Sequence, residues 1–328
     1  MSTHKSGRRG KPRYDRIIGA LAILIVFMIL IVSCGKSCGS DDDKKGDASS
    51  VVPTDSKEGG SDKDSKSDES SLVSLDNYTT ITEIPNAVFS GDLVLVNKQH
   101  EYSFPSEEDA VVPIYEYNTD SYSVKDYETY MSLKAIYALN SLMDNFYSET
   151  GHSEGMVIGA YRSKEYQDEN FNNGISDIKG GCSDFHTGLS FDLGMFPEGE
   201  NSYYYIPDGD YSWIDENCGK YGFIVRFPEG KESQTGMDSK TYQFRYVGIP
   251  HAIYMNENDM CLEEYIEFVK NYTYDADHLK IAGPDKNYEV YYVAADPSTD
   301  TEVPVPSDKT YEISGNNIDG FIVTVEMS

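Results

Sequence analysis

The stretch Ser183-Asp-Phe-His-Thr-Gly-Leu-Ser-Phe-Asp192 decides how this chain is read. Residues 189–193 read as a strand that is entered from Gly188 and carries Asp192. A second stretch, Lys240-Thr-Tyr-Gln-Phe-Arg-Tyr-Val-Gly248, holds another strand over residues 242–247. Outward from these, Met156-Val-Ile-Gly-Ala160 is a short buried strand that runs into Tyr161-Arg162-Ser163 and a helix. Residues 211–221 read as a short helix stopped by Gly222, and Phe223-Ile-Val-Arg-Phe227 as a strand.

Elsewhere the periodicity is equally direct. Asp92-Leu-Val-Leu-Val-Asn97 reads as a strand. Leu133, Ile136, Leu139, Leu142 and Phe146 recur at helical spacing, and Ser123 with Asp126 offers a capping-box start, which predicts a helix over 124–147. Residues 260–272 read as a further helix. After Asp275 the pattern changes to strands, Glu289-Val-Tyr-Tyr-Val293 and Gly320-Phe-Ile-Val-Thr-Val325, between Pro- and Asp-rich loops. They form a small β appendage or add strands to the main sheet. Helices and strands mix without a regular βαβ order, so the class is α+β.

Residues 1–16 carry Lys5, Arg8, Arg9, Lys11, Arg13 and Arg16 against Asp15 alone, and an apolar run follows from Ile17 to Val32. At ~1.5 Å per residue that run nearly matches a bilayer's hydrocarbon core. Basic residues before it and acidic ones after it place the N-terminus in the cytoplasm and the remainder outside. The alternative anchor is a lipoprotein signal ending at Ile31-Val32-Ser33-Cys34, with Cys34 lipidated. From Gly35 to about Ser71 the chain is Ser, Asp, Lys and Gly with little to bury, a disordered tether of ~30–35 Å average span. The expected organisation is a basic tail (1–16), an anchor (17–33), a linker (34–71), a main domain (72–274) and a β appendage (275–328). A net charge of −29 argues against nucleic acid as a partner. Cys34 and Cys38 flank the anchor; of Cys182, Cys218 and Cys261 at least one is unpaired, and a Cys182–Cys218 bridge is one option.

Four segments in order carry a family resemblance. Gly159-Ala-Tyr-Arg-Ser-Lys-Glu-Tyr-Gln167 resembles a YRS…Q segment, residues 183–192 resemble S-x-H-x-x-G-x-x-x-D, and residues 240–248 resemble E-x-W-H-x-R-Y-V-G. Between the last two lies Trp213…Tyr221-Gly-Phe-Ile-Val-Arg-Phe-Pro-Glu-Gly-Lys-Glu232, also typical of the group. Over roughly residues 90–270 the chain thus resembles the VanY-like D-alanyl-D-alanine carboxypeptidases. The resemblance implies a central, mostly antiparallel sheet flanked by helices, and in active relatives a zinc-activated water that hydrolyses peptides. It assigns the zinc ligands to a His and an Asp of the second segment and a His of the third, with the Glu of E-x-W-H as general base.

Position by position, the match is partial. Gly188 sets the register, so the first ligand position holds Phe185, while Asp192 matches. Arg245-Tyr-Val-Gly248 puts Gln243 at the third ligand position and Lys240 at that of the general base. A rescue site would draw on His186, Asp192 and His251; a structural or surface role for both histidines is the other account. By resemblance, Arg162, Gln167 and Ser183 line the cleft and meet a peptide's carboxylate or carbonyl, a task that suits a guanidinium. Arg162 could equally tie a loop to an acid, Ser183 could cap a turn, and Asp192 could pair with Lys240. Tyr203 to Tyr205 could form an aromatic platform.

These positions lead us to expect a membrane-anchored, extracytoplasmic, zinc-less pseudoenzyme, without cofactor, whose partner is the peptidoglycan stem peptide. The alternatives are an active metallo-carboxypeptidase with an unusual metal site and a non-catalytic interaction domain.

Overall fold

A computed structural model describes residues 77–105, 111–296 and 298–327. The basic tail, the apolar run and the linker lie outside the described residues. Among the described residues no helix is long and apolar enough to cross a membrane.

The described residues begin with β1 (Tyr78–Glu83) and the short strands β2 (Val112–Pro113), β3 (Ser123–Val124) and β4 (Tyr130–Met131). Helix α1 (Leu133–Thr150) buries Ala135, Ile136, Leu139, Leu142, Met143 and Phe146, one face at spacings of three and four. Then come β5 (Gly155–Gly159), α2 (Lys164–Asn172), β6 (Ser190–Met195), β7 (Tyr203–Tyr204), α3 (Ser212–Asn217), β8 (Phe223–Phe227), α4 (Glu232–Thr235) and β9 (Lys240–Tyr246). Helices α5 (Ile249–Glu257) and α6 (Leu262–Val269) lead into β10 (Leu279–Ala282), β11 (Asn287–Ala294), β12 (Thr301–Pro306), β13 (Tyr311–Gly315) and β14 (Gly320–Met327).

The central sheet has six strands in the order β3-β5-β6-β9-β8, with β7 beside β6. Only β3–β5 is parallel within it, so the sheet is mostly antiparallel, as expected for α+β. Phe191 of β6 stacks on Phe244 of β9 with ring centroids 5.4 Å apart, and these rings share a core with the buried face of α1. The C-terminal strands do not extend that sheet. They form a separate antiparallel sheet, β10-β11-β14-β13, while β12 pairs with β1 from the other end of the described chain. Leu93 and Leu95 join α5, α6, β10 and β11 in a second core.

A charged cluster lies between the two cores. Arg226 and Arg245 are fully buried, and both reach Asp184 Oδ1, through Nε at 3.1 Å and Nη1 at 2.7 Å respectively. Arg226 also grips Glu263 of α6 with two parallel bonds of 2.9 and 2.8 Å, the strong bidentate geometry. Ser190 Oγ donates to the second oxygen of Asp184. Burial pushes the Asp184 carboxyl up, but the adjacent Arg245 and Arg226 more than offset this and hold it below the usual carboxylate range.

Three expectations are corrected. Leu93 to Val96 are buried, but Asp92 and Leu93 lie in a turn and residues 92–97 pair with no strand. Guanidinium groups stand in for the missing ladder: Arg245 Nη2 donates to the carbonyls of Asp92 (2.9 Å) and Val94 (3.0 Å), and Arg226 Nη2 to that of Val96 (3.3 Å). The helix expected from 124 begins only at Leu133, because Asp126 turns its carboxylate onto the Glu128 amide and the Thr129 hydroxyl and closes a local turn instead. Cys182, Cys218 and Cys261 are all free and buried, so the Cys182–Cys218 bridge does not form.

Replacing Asp184 by Asn leaves two buried guanidinium groups facing a neutral amide. Urea unfolding of Asp184→Asn is expected to show a loss of ~3–5 kcal/mol. His251 gives a pH-dependent counterpart. Its imidazole is buried, hydrogen-bonded to Tyr265 Oη (2.7 Å) and Thr324 Oγ1 (2.9 Å), and burial pushes its pKa down to about 3. The unfolded chain therefore takes up this proton first, near pH ~6.5. Stability present above that pH is lost as the pH falls from ~6.5 towards about 3, at up to roughly 1.4 kcal/mol per unit. The stability difference between the native chain and His251→Gln should shrink over that window and stay flat above it.

Candidate functional site

Three strands and one turn bring the site together. Asp192 on β6 faces Gln243 on β9 across the ladder. A bulge between Val157 and Gly159 then sets Gly159 opposite Asp192. A Cβ on Gly159 would lie 3.4 Å from Asp192 Oδ2 and 3.7 Å from Arg162 Nη2, so the bare glycine leaves both groups open to one space. Lys240 pairs with Phe227 at the start of β9, its Nζ 5.4 Å from the Phe227 ring centre.

Phe185 and His186 sit in a single 3-10 turn, Asp184–Thr187, closed by Gly188 at φ 67°. Glycine is required there twice over: the backbone is left-handed, and a Cβ would come within 2.5 Å of Val111 Cγ1. The Arg162 guanidinium lies over the Phe185 ring, 4.2 Å from its centre, an attractive cation–π contact. Arg162 Nη1 donates to Gln167 Oε1 at 3.2 Å. Gln167 is wholly buried and spends its amide N–H groups on Ser176 Oγ (2.9 Å) and the Ile178 carbonyl (2.6 Å). It stands behind Arg162 and orients it. Ser183 is buried at the head of the 3-10 turn, without a side-chain cap bond.

Neither histidine has a lone pair to spare near Asp192. The Gly181 amide donates to His186 Nε2 at 3.0 Å, which makes that nitrogen the acceptor. His186 Nδ1, 2.6 Å from the Arg162 carbonyl, must then carry the proton. Burial holds this imidazole below its ordinary pKa, consistent with the neutral form. His251 is engaged at both nitrogens by Tyr265 and Thr324, on the second core. Among the described residues no group of three or more His, Cys, Asp or Glu side chains converges as a metal would need.

The charge balance points the same way. Asp192 Oδ1 is buried without a hydrogen-bond partner, so no direct bond from Lys240 satisfies it. Burial pushes this carboxyl up to about 6, against Arg162 and Lys240, which both pull it down. Burial also holds the Lys240 ammonium below its usual pKa, with Asp192 opposing. Zinc asks for several lone-pair donors. Here one ligand position is a phenyl ring under a guanidinium, another is the buried amide Gln243, and an ammonium stands at the position of the base. These residues do not fit a zinc ion.

The tyrosines divide. Tyr205 is fully buried and bonds the Tyr211 carbonyl and Asp215, so it belongs to the core rather than to a platform. Tyr204 stacks on Tyr242 with ring centres 4.2 Å apart, and both rings feel the Asp192 charge. Sequence spacing does not reveal this stack or the Arg162–Phe185 contact, because both join residues from distant segments. A cavity of about 300 Å3, lined by Tyr102, Phe104, Tyr161, Ser163, Lys164 and His186 among others, borders the residues flanking Arg162 but does not include Asp192.

The family model VanY, D-alanyl-D-alanine carboxypeptidase, matches residues 128–249. The chain is 34% identical over 251 residues to a D-alanyl-D-alanine carboxypeptidase of Enterococcus faecium, a match that covers 75% of this chain and 78% of the relative. A solved structure of the vancomycin-resistance D,D-dipeptidase VanXYg, in complex with a D-Ala-D-Ala phosphinate analogue, superimposes with a TM-score of 0.65 at 27% identity. That superposition covers 76% of this chain and 99% of the other.

The Asp192 carboxyl sets a pH signature. Its pKa of about 6 in the folded chain lies above the unfolded value of ~3.9, so the folded state holds the proton more tightly. The stability this contributes is full below pH ~4 and lost as the pH rises to about 6. Asp192→Asn, neutral throughout, is expected to gain on the native chain between those pH values in urea unfolding and to hold a constant difference above them.

Proposed function

Because this chain belongs to the VanY family of D-alanyl-D-alanine carboxypeptidases, we propose that it is a metal-independent module that binds peptides ending in D-alanine without cleaving them. The observation that carries this reading is the Arg162 guanidinium resting on Phe185 at a ligand position. Positive charge that relatives would draw from a metal is supplied here by side chains. Hydrolysis also needs an acceptor for the water's proton, and Lys240 cannot serve while it is protonated. A cleft that keeps a guanidinium and loses the base is suited to holding a carboxylate.

The proposed ligand is the stem peptide of peptidoglycan. The basic tail and the apolar run at residues 17–32 support a membrane-anchored chain with this domain outside the cell, and residues 34–71 would act as its tether. A second reading, an active carboxypeptidase, is favoured by one observation: the 34% identity to the E. faecium enzyme extends over 251 residues.

The two readings separate in one experiment on the full chain in detergent. Dialysis against micromolar zinc is expected to leave well under one zinc per chain. Calorimetry should detect a peptide ending in D-Ala-D-Ala, with affinity unchanged by a chelator and no D-alanine released. One zinc per chain together with chelator-sensitive release of D-alanine would establish the hydrolase reading in its place.

A further inference from the structure

We propose that His152 is a pH-operated clamp: as an imidazolium it ties the segment between β7 and α3 to the start of β5, and on losing its proton it lets that segment go. The clamp does not depend on whether the cleft binds or cleaves.

His152 stands where three segments meet. Helix α1 ends at Gly151, whose left-handed backbone (φ 78°) turns the chain sharply, and His152 follows. Its ring stacks on Phe146, from the buried face of α1, with centroids 6.2 Å apart, and meets the Tyr211 ring edge-on at 5.0 Å. These contacts set the imidazole plane and so the direction of both nitrogens. Nδ1 lies 3.0 Å from Glu154 Oε1, and Nε2 lies 3.5 Å from Asp210 Oδ2. Glu154 stands just before β5, and its carbonyl accepts from the Phe196 amide at 2.9 Å. Asp210 sits in the 3-10 turn Gly209–Tyr211 that leads into α3.

The number of protons on the ring decides what this arrangement can hold. A neutral imidazole has one N–H and one lone pair. With a carboxylate oxygen before each nitrogen, the neutral ring would turn its lone pair on an anion, whereas the imidazolium donates to both. The bond to Glu154 accordingly lifts the His152 pKa above its ordinary 6.5, against burial and with Asp210 adding to the rise. Burial pushes the Glu154 carboxyl up, but His152 and nearby backbone amides outweigh it and hold the group below the usual carboxylate range. Burial and the charge of Glu154 push the Tyr211 phenol up to about 12. Of these three groups, only His152 changes charge near neutral pH.

Which contact opens follows from exposure. The Glu154 side chain is 26% exposed and the nearer of the two, while Asp210 is 77% exposed. The last proton therefore stays on Nδ1, Nε2 becomes the lone pair, and Asp210 is released. Residues 206–210 are exposed, and their backbone bonds locally, the Asp208 amide to the Ile206 carbonyl (2.9 Å) and the Tyr211 amide to the Asp208 carbonyl (3.2 Å). His152 adds a tie from outside the segment. Because the folded pKa is raised, this tie is complete below pH ~6.5 and is lost as the pH rises through the folded value.

The test uses the full chain in detergent with its histidines labelled with nitrogen-15. The His152 signals, identified by their loss in His152→Gln, are expected to titrate with a midpoint above 6.5 and to leave a neutral ring protonated at Nδ1. Through that midpoint, hydrogen exchange of the amides from Ile206 to Tyr211, corrected for intrinsic rates, should quicken by roughly twofold to fivefold, the reach of a partly exposed ion pair. Exchange in α1 should show no such step. Asp210→Asn alters an exposed side chain and is expected to fold, to lower the midpoint and to remove the step. A midpoint at or below 6.5, a neutral ring protonated at Nε2, or exchange without a step in the native chain overturns the clamp. So does a step that persists in Asp210→Asn.

Discussion

The Asp184 carboxylate, shared by Arg226 and Arg245, is the interaction on which the rest of the structure depends. Removing three charges from water is expensive, and only a closed set of partners makes it tolerable. The set is nearly complete here. Arg226 divides its donors among Asp184, Glu263 and Val96, and Arg245 divides its own among Asp184, Tyr246, Asp92 and Val94. Together these bonds tie β8, β9, α6, residues 92–96 and the turn before β6 into one relative position. Phe185 and His186 follow Asp184 directly in that turn. The charged core therefore fixes the place of Phe185 and His186.

Around this anchor the central sheet holds the site residues in place. The ladder between β6 and β9 still sets Asp192 against Gln243, and the glycine at the end of β5 still leaves the space before it. A phenyl ring at position 185 gives Arg162 a surface to lie on rather than a metal to compete with. Lys240 adds a second positive group at the mouth of β9. Among these groups Asp192 Oδ1 is buried without a hydrogen-bond partner.

How much of this could be read from the sequence depends on the range of the forces involved. Strand β8 was legible residue for residue in Phe223-Ile-Val-Arg-Phe227, because a short apolar run after a left-handed glycine leaves few alternatives. The apolar face of α1 was equally plain, but its start was not, since Asp126 could cap a helix or close a turn and tertiary context chose the turn. Helix α5 lay hidden behind Ile249-Pro250, where proline at the first turn looks like a loop. Residues 92–97 carry the short apolar run of a strand, yet Asp92 and Leu93 turn, and the carbonyls of Asp92, Val94 and Val96 go to guanidinium groups far along the chain. At the site, Phe185, Gln243 and Lys240 could be placed by register alone. That His186 has no free nitrogen, and that Arg162 rests on Phe185, required the fold.

The pairing of β1 with β12 joins residues 78–83 to 301–306, which puts the first described strand and the third from last in one ladder. A chain that emerges N-terminus first, from a ribosome or through a membrane, exposes β1 long before its partner exists. Until residues 301–306 arrive, that strand lacks its ladder partner and remains an open edge, the kind of surface that other chains can add to. Completion of this ladder thus waits for a segment more than two hundred residues further along the chain.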